Sequence, residues 1–255
     1  MWYRNMIIRP LVFVVLMFMA APSILAQNVS GFVIDLEGGP VWQSRNDVQI
    51  PNTDAGTRFS LVDLAGKGPW PAVRLYLTWN INNRHSLRAL LAPLSYTETG
   101  SFTSLVDFAD RSYVPGTPVD ATYKFNSWRL GYRYRFLDHE RLKLSVGFTA
   151  KIRDAKIELR QGSTTSKKTD VGFVPLLYLG SDWQFARKWY VLFDFEGLAG
   201  GPGRAFDIAL KPYYAISDHW GISAGYRTLE GGADVESVYN FAWLHYAVLS
   251  WTYRF

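Results

Sequence analysis

From Ser30 onward the chain alternates apolar and polar residues with a period of two. Phe32, Ile34 and Leu36 interleave with Asp35 and Glu37, and Val73, Leu75, Leu77 and Trp79 with Arg74, Tyr76, Thr78 and Asn80. The pattern returns in Trp128, Leu130, Tyr132, Tyr134 and Phe136 around Arg129, Gly131, Arg133 and Arg135, and in Leu142, Leu144, Val146, Phe148 and Ala150 around Lys143, Ser145, Gly147, Thr149 and Lys151. Alternation of this kind predicts strands with one apolar and one polar face. Such strands are expected near 30–43, 70–81, 85–98, 121–136, 141–159, 170–184, 188–198, 204–216, 219–230 and 237–255.

The segments between them sort into two alternating kinds. Short polar turns lie near Asn82-Asn83-Arg84, Leu137 to Glu140, Ala186-Arg187 and Ser217-Asp218; longer polar or Gly-rich stretches lie near 44–69, 99–120, 161–169, 199–204 and 231–237. Short turns at one end and long loops at the other belong to a closed, up-and-down transmembrane barrel whose short turns face the periplasm. The expected fold is thus all-β, an antiparallel transmembrane β-barrel of about ten strands, with about eight or twelve as alternatives. Arg58 to Leu64 and Ser101 to Phe108 resemble each other in sequence on either side of the Asn82-Asn83 turn. They read as a hairpin paired above the membrane and bent near Pro69 and Pro71, where proline cannot donate to a ladder, as separate crossings that would bring the barrel to about twelve strands, or as two unrelated loop segments; the hairpin is the expected arrangement.

Composition agrees with a lipid-facing wall. Aromatic residues make up 16% of the chain, although its mean hydropathy is only −0.05. A barrel uses aromatics in this way, alternating a lipid face with a polar lumen and ringing both interfaces with aromatic side chains. Arg4 and Arg9, the apolar run Leu11 to Ala21 and the exit Ile24-Leu25-Ala26 read as a removable signal peptide over residues 1–26, leaving 27–255 as one barrel domain. Losing those two arginines lowers the formal charge from +5 to +3, since that stretch holds no acid. So mild an excess does not point to nucleic acid. The chain has no cysteine, which excludes disulfides, a lipoprotein anchor and thiolate chemistry.

The last strand places Tyr239, Phe241, Trp243, His245, Ala247, Leu249, Trp251, Tyr253 and Phe255 on one face. A chain that ends on an aromatic, preceded by apolar residues at every second position, resembles the terminal strand of bacterial outer-membrane β-barrel proteins, including the small OmpA- and OmpW-like barrels. The resemblance implies a place in the bacterial outer membrane. It also implies that Trp251, Tyr253 and Phe255 are an assembly signal read by the barrel-assembly machinery.

If the aromatic faces meet lipid, the opposite faces give the lumen. Asp35, Glu37, Arg74, Arg88, Arg129, Arg133, Arg135, Lys143, Lys151, Arg153, Asp194, Glu196, Asp207, Lys211, Arg227 and Arg254 fall there. A barrel of about ten strands is narrow enough for side chains to fill it, and charges held inside must pair. The set is expected to form a salt-bridged plug. The alternative is a gated pore or binding cavity with Arg129, Arg133 and Arg135 on one wall and Asp194, Glu196 and Asp207 on another, favouring anions.

Candidate chemistry is thin. His85, His139 and His219 fall at the short turns, away from the outer mouth, so the Asp and Asp-His pairs of an omptin-type protease are not found. His245 has the lipid-facing parity, but Ser250 has the opposite one and cannot be its nucleophile. No motif calls for a metal or cofactor: Gly200-Gly201-Pro202-Gly203 reads as a turn, and the acidic pairs have arginines to meet. The basic stretch Gln161 to Lys168 reads as a solvated loop able to touch lipopolysaccharide. Three functions remain open: a structural or surface-interaction barrel acting through its long outer loops, a narrow channel or binding barrel for small solutes, anions among them, and a lipid-acting enzyme.

Overall fold

The computed structural model describes residues 31–255; the expected signal peptide lies outside them. Strand β1 runs Gly31–Gln49 and is followed by β2 (Phe59–Ser60), the short helix α1 (Leu61–Ala65), β3 (Trp70–Asn80), β4 (His85–Ala92) and β5 (Ser95–Gly100). Next come β6 (Val106–Phe108), β7 (Arg111–Tyr113), β8 (Val119–Asp138), β9 (Leu142–Gln161) and β10 (Thr164–Ala186). The chain ends with β11 (Trp189–Gly200), β12 (Gly203–Ala215), β13 (Trp220–Val235) and β14 (Val238–Arg254).

These strands close into an antiparallel barrel. Each long strand pairs with its sequence neighbour, and β1 returns to β14 from Val33↔Arg254 to Gln49↔Tyr239. Strands β4 and β5 both pair with β8 and act as one staff broken at Pro93-Leu94. The barrel therefore has ten staves, and closure leaves no free sheet edge around its waist.

Sidedness follows the alternation. Phe148, Phe173 and Leu130 point out of the wall, 67%, 64% and 58% exposed. Large apolar groups standing outward at this density require lipid as the outer solvent. Trp79, Trp183, Trp189, Trp220 and Trp251 ring the end where residues 31 and 255 lie, and Trp42, Trp243 and Tyr226 mark the other boundary. Above it the outward residues of β9 become Asp154, Lys156, Glu158 and Arg160, so the strands continue past the apolar band into water.

The outer connections differ from the pattern read in the sequence. Residues 161–169 are not a loop: β9 and β10 pair up to Gln161↔Thr164 around a tight turn at Gly162, whose φ is 58°. The outward face is polar because it meets water, while inward Gln161 and Ser166 are buried and donate to the Val114 and Phe108 carbonyls of the folded-in loop; together this polarity mimics a loop in sequence. Residues 231–237 are likewise mostly strand, with Val235↔Val238 as the last rung. The expected hairpin between 58–64 and 101–108 does not form. Phe59 and Ser60 bridge to Val48 and Asp47 of β1, residues 61–65 are helical, and Val106–Phe108 pairs with Arg111–Tyr113.

The two segments meet through side chains instead. The Phe59 ring packs 5.2 Å from Phe102 and 5.9 Å from Phe108. Both long loops thus fold inward and carry Ile50, Leu61, Leu64, Phe102, Val106, Phe108 and Tyr113 into one buried apolar cluster in the outer mouth. Ser60 caps α1 by accepting the Asp63 amide at 3.2 Å. At Gly100 a Cβ would lie 1.8 Å from the Leu64 carbonyl oxygen, so only glycine lets the helix seat this close.

Candidate functional site

Below the apolar plug the lumen is crossed by a belt of charges that alternation brings inward from six strands. Glu37 of β1, 1% exposed, accepts from Lys211 Nζ at 2.8 Å and Arg227 Nε at 2.9 Å and lies 3.4 Å from Arg74 Nε. Asp207 of β12 takes Arg74 at 2.9 Å, Arg129 at 2.8 Å and Arg227 at 2.5 Å. Glu196 of β11 pairs with Arg129 and accepts the Thr149 hydroxyl at 2.9 Å. Asp35 lies 3.8 Å from Lys211. Each buried carboxylate is met by cations from facing strands, which is the condition for keeping charge out of water.

Nearer the periplasmic end a second group gathers on Asp194. Its Oδ1 receives the Tyr178 hydroxyl at 2.9 Å and lies 3.5 Å from Arg88 and 3.7 Å from Arg133. The Arg133 guanidinium stacks 3.8 Å over the Tyr178 ring. A cavity of about 490 Å³ opens here, lined by Arg88, Arg133, Arg135, Asp182, Asp194 and Arg254 among others.

The expected single arginine wall divides. Arg129 belongs to the belt and Arg133 bridges both groups. Arg135 instead turns to the periplasmic rim, donating to the Asn83 carbonyl at 2.8 Å, with Asp138 at 3.9 Å. Arg135 keeps its inward parity opposite Ser145 and reaches the rim because it is the last inward residue of β8 before the bulge between Arg135 and Leu137.

The outer mouth is held by polar ties as well as by its core. Gln43 donates to the Gly66 carbonyl at 2.7 Å and accepts from Asn46 at 3.0 Å and from the Tyr96 hydroxyl at 2.8 Å. Burial pushes the Tyr96 phenol well above its ordinary pKa, so it remains a neutral donor. Trp70 stacks on Tyr96 at 3.6 Å and donates its indole N–H to Glu98 at 2.6 Å. Tyr113 donates to the Leu159 carbonyl at 2.9 Å.

The histidines fall into two settings. His85 and His219 sit at periplasmic turns, bonded to the Tyr132 hydroxyl at 2.7 Å and the Arg254 carbonyl at 2.8 Å; His139 is at another such turn. His245 stands on the outer wall between Trp42 and Trp243. Its Nε2 lies 2.7 Å from Ser44 Oγ, and its Nδ1 meets the Tyr226 hydroxyl. Ser44 shares its outward parity with Trp42, but its place beside His245 depends on a β-bulge between Gln43 and Arg45. Ser250, by contrast, is buried in the lumen against Lys211. Among the described residues no three His, Asp or Glu side chains gather as a metal ion would need.

A closed ten-stranded barrel with an apolar outer wall and a filled, charged lumen is the fold of a bacterial outer-membrane β-barrel. No protein-family model and no curated protein matches the chain. Among solved structures it is similar to the outer membrane protease OmpT from Escherichia coli, with a TM-score of 0.56 at 8% identity over 91% of this chain and 99% of that one. It also aligns with Ail, the attachment invasion locus protein of Yersinia pestis, with a TM-score of 0.40 at 12% identity over 88% of this chain and 99% of that one. At such identities the likeness to OmpT is one of fold, and the weaker alignment adds nothing to it.

Proposed function

We propose that this protein resides in the bacterial outer membrane as a sealed barrel with a structural and surface-interaction role, and that it is not a through-pore. One observation carries the reading: the lumen is blocked twice, by the Glu37–Asp207–Arg227 belt and by the apolar cluster of the inward-folded loops. Water and ions crossing it would have to part buried ion pairs and then an apolar plug, each unfavourable by several kcal/mol. What remains for the environment is the crown above the membrane, where Arg160 and Lys167 are exposed; anionic lipopolysaccharide is the partner proposed for them. Trp251, Tyr253 and Phe255 are proposed as the segment that the barrel-assembly machinery reads. Planar-bilayer recordings of the purified protein test the sealed lumen: conductance at the level of the empty bilayer is expected, and stable anion-selective steps would replace this reading with a channel.

A second reading, a lipid-ester hydrolase, rests on Ser44 and His245 alone. A serine hydroxyl 2.7 Å from an imidazole nitrogen has the contact a nucleophile and its base require, with Tyr226 orienting the far nitrogen. In such a reaction Ser44 Oγ attacks the ester carbonyl while His245 takes its proton. The alcohol leaves with that proton, and water then releases the acid. Fatty-acid release from phospholipid vesicles that disappears in both Ser44→Ala and His245→Ala supports it. Release at background level in the native protein removes it.

A further inference from the structure

The barrel wall is complete at its waist but parts on one side near the outer interface. The β10–β11 ladder has its uppermost rung at Leu177↔Gly197. Above it β10 continues to Thr164 paired only with β9, and β11 continues to Gly200 paired only with β12. The gap opens into a cavity of about 650 Å³, within the range of ligand pockets, about 300–1,000 Å³. The lining crosses the wall: Phe173 and Phe206 belong to the lipid face, whereas Lys151, Arg129 and Asp207 face inward.

Lys151 is the feature that points to a ligand. It is 3% exposed, yet among the described residues its ammonium has neither an ion-pair nor a hydrogen-bond partner. The ammonium lies 4.8 Å from the Phe125 ring. The belt around it cannot supply an acid. Arg74, Arg129, Lys151, Lys211 and Arg227 are five bases against the four acids Asp35, Glu37, Glu196 and Asp207, and all four acids already hold cations. An ammonium so placed either loses its proton or finds an anion, and the gap is a route by which an anion can arrive from the membrane.

We propose that the gap between β10 and β11 is a lateral binding site for a single-chain amphiphile with an anionic head, a fatty acid or alkyl phosphate. The head pairs with Lys151 inside the barrel, and the chain leaves past Phe173 and Phe206 into the outer leaflet. This arrangement supplies the missing charge partner and covers the parted wall with hydrocarbon. Leu198, 40% exposed on the opposite lip, lies beside the path of the chain.

The test uses the folded barrel in nanodiscs of neutral lipid with dansyl-labelled undecanoate as the fluorescent probe. Saturable binding is expected, displaced by dodecanoate or dodecyl phosphate and not by equal concentrations of butyrate or inorganic phosphate. Lys151→Gln should weaken it about tenfold or more, the loss of one charge-assisted hydrogen bond. Since Lys151 lies in packed surroundings, Leu198→Trp is the second variant. It narrows the gap without changing a charge and should also lower affinity while the unheated protein keeps its gel mobility. Native affinity in both variants, or displacement by butyrate as effective as by dodecanoate, overturns the proposal.

Discussion

Glu37→Gln removes the charge on which the lumen belt turns while leaving its shape nearly unchanged. In the native protein this carboxylate holds Lys211 at 2.8 Å, Arg227 at 2.9 Å and Arg74 at 3.4 Å, and all four side chains are at most 5% exposed. After the change, three buried cations share Asp207 and Asp35. Removing one partner of a buried pair costs about 3–5 kcal/mol; because the amide oxygen still accepts, the lower end, about 3 kcal/mol, applies. That is a factor of more than about one hundred in the folded-to-unfolded ratio. Urea titration in detergent micelles, followed by tryptophan fluorescence and by the mobility of unheated protein, measures it. A companion Glu37→Gln/Lys211→Met variant, which removes a charge of each sign, should lose less than the sum of its two single variants. A loss below about 1 kcal/mol for Glu37→Gln, or strict additivity in the double variant, would refute the buried belt.

Other perturbations separate the parts of the structure. Gly100→Val places a side chain against the Leu64 carbonyl; the plug helix must shift, so protease cleavage within 52–68 should rise while the barrel's thermal midpoint changes little. Arg160→Ala breaks an exposed crown pair with Asp120 and should cost less than about 1 kcal/mol in the same urea titration; a loss like that of Glu37→Gln would contradict the placement of the crown in water. Deleting Phe255 should reduce the folded fraction in outer membranes of growing cells and leave refolding of purified protein in detergent unchanged. Equal loss in both settings would make the residue structural and not an assembly signal.

The number of staves and the inward parity of Glu37, Arg74, Asp207 and Arg227 were legible because lipid imposes a strict rule: every second residue of each wall strand must be apolar, whatever the lumen contains. That rule stops at the membrane surface. Above it, Lys156, Arg160 and Lys167 are polar on strands as they would be in loops, so the tall β9–β10 hairpin was hidden. The plug was hidden for a different reason. Phe59, Phe102 and Phe108 carry no periodic signal, and they meet across more than forty residues through contacts that only the closed barrel arranges. Ser44 beside His245, and the parting of β10 from β11, depend on register between strands, which alternation within one strand does not contain.

The most direct measurement is the behaviour of the protein extracted from outer-membrane fractions, run on SDS gels with and without boiling beside its circular dichroism spectrum. A strand-rich spectrum, with unheated protein migrating ahead of the boiled form, is the result a closed ten-stranded barrel predicts. A soluble protein with no heat-dependent shift would contradict the lipid-facing wall and every reading built on it.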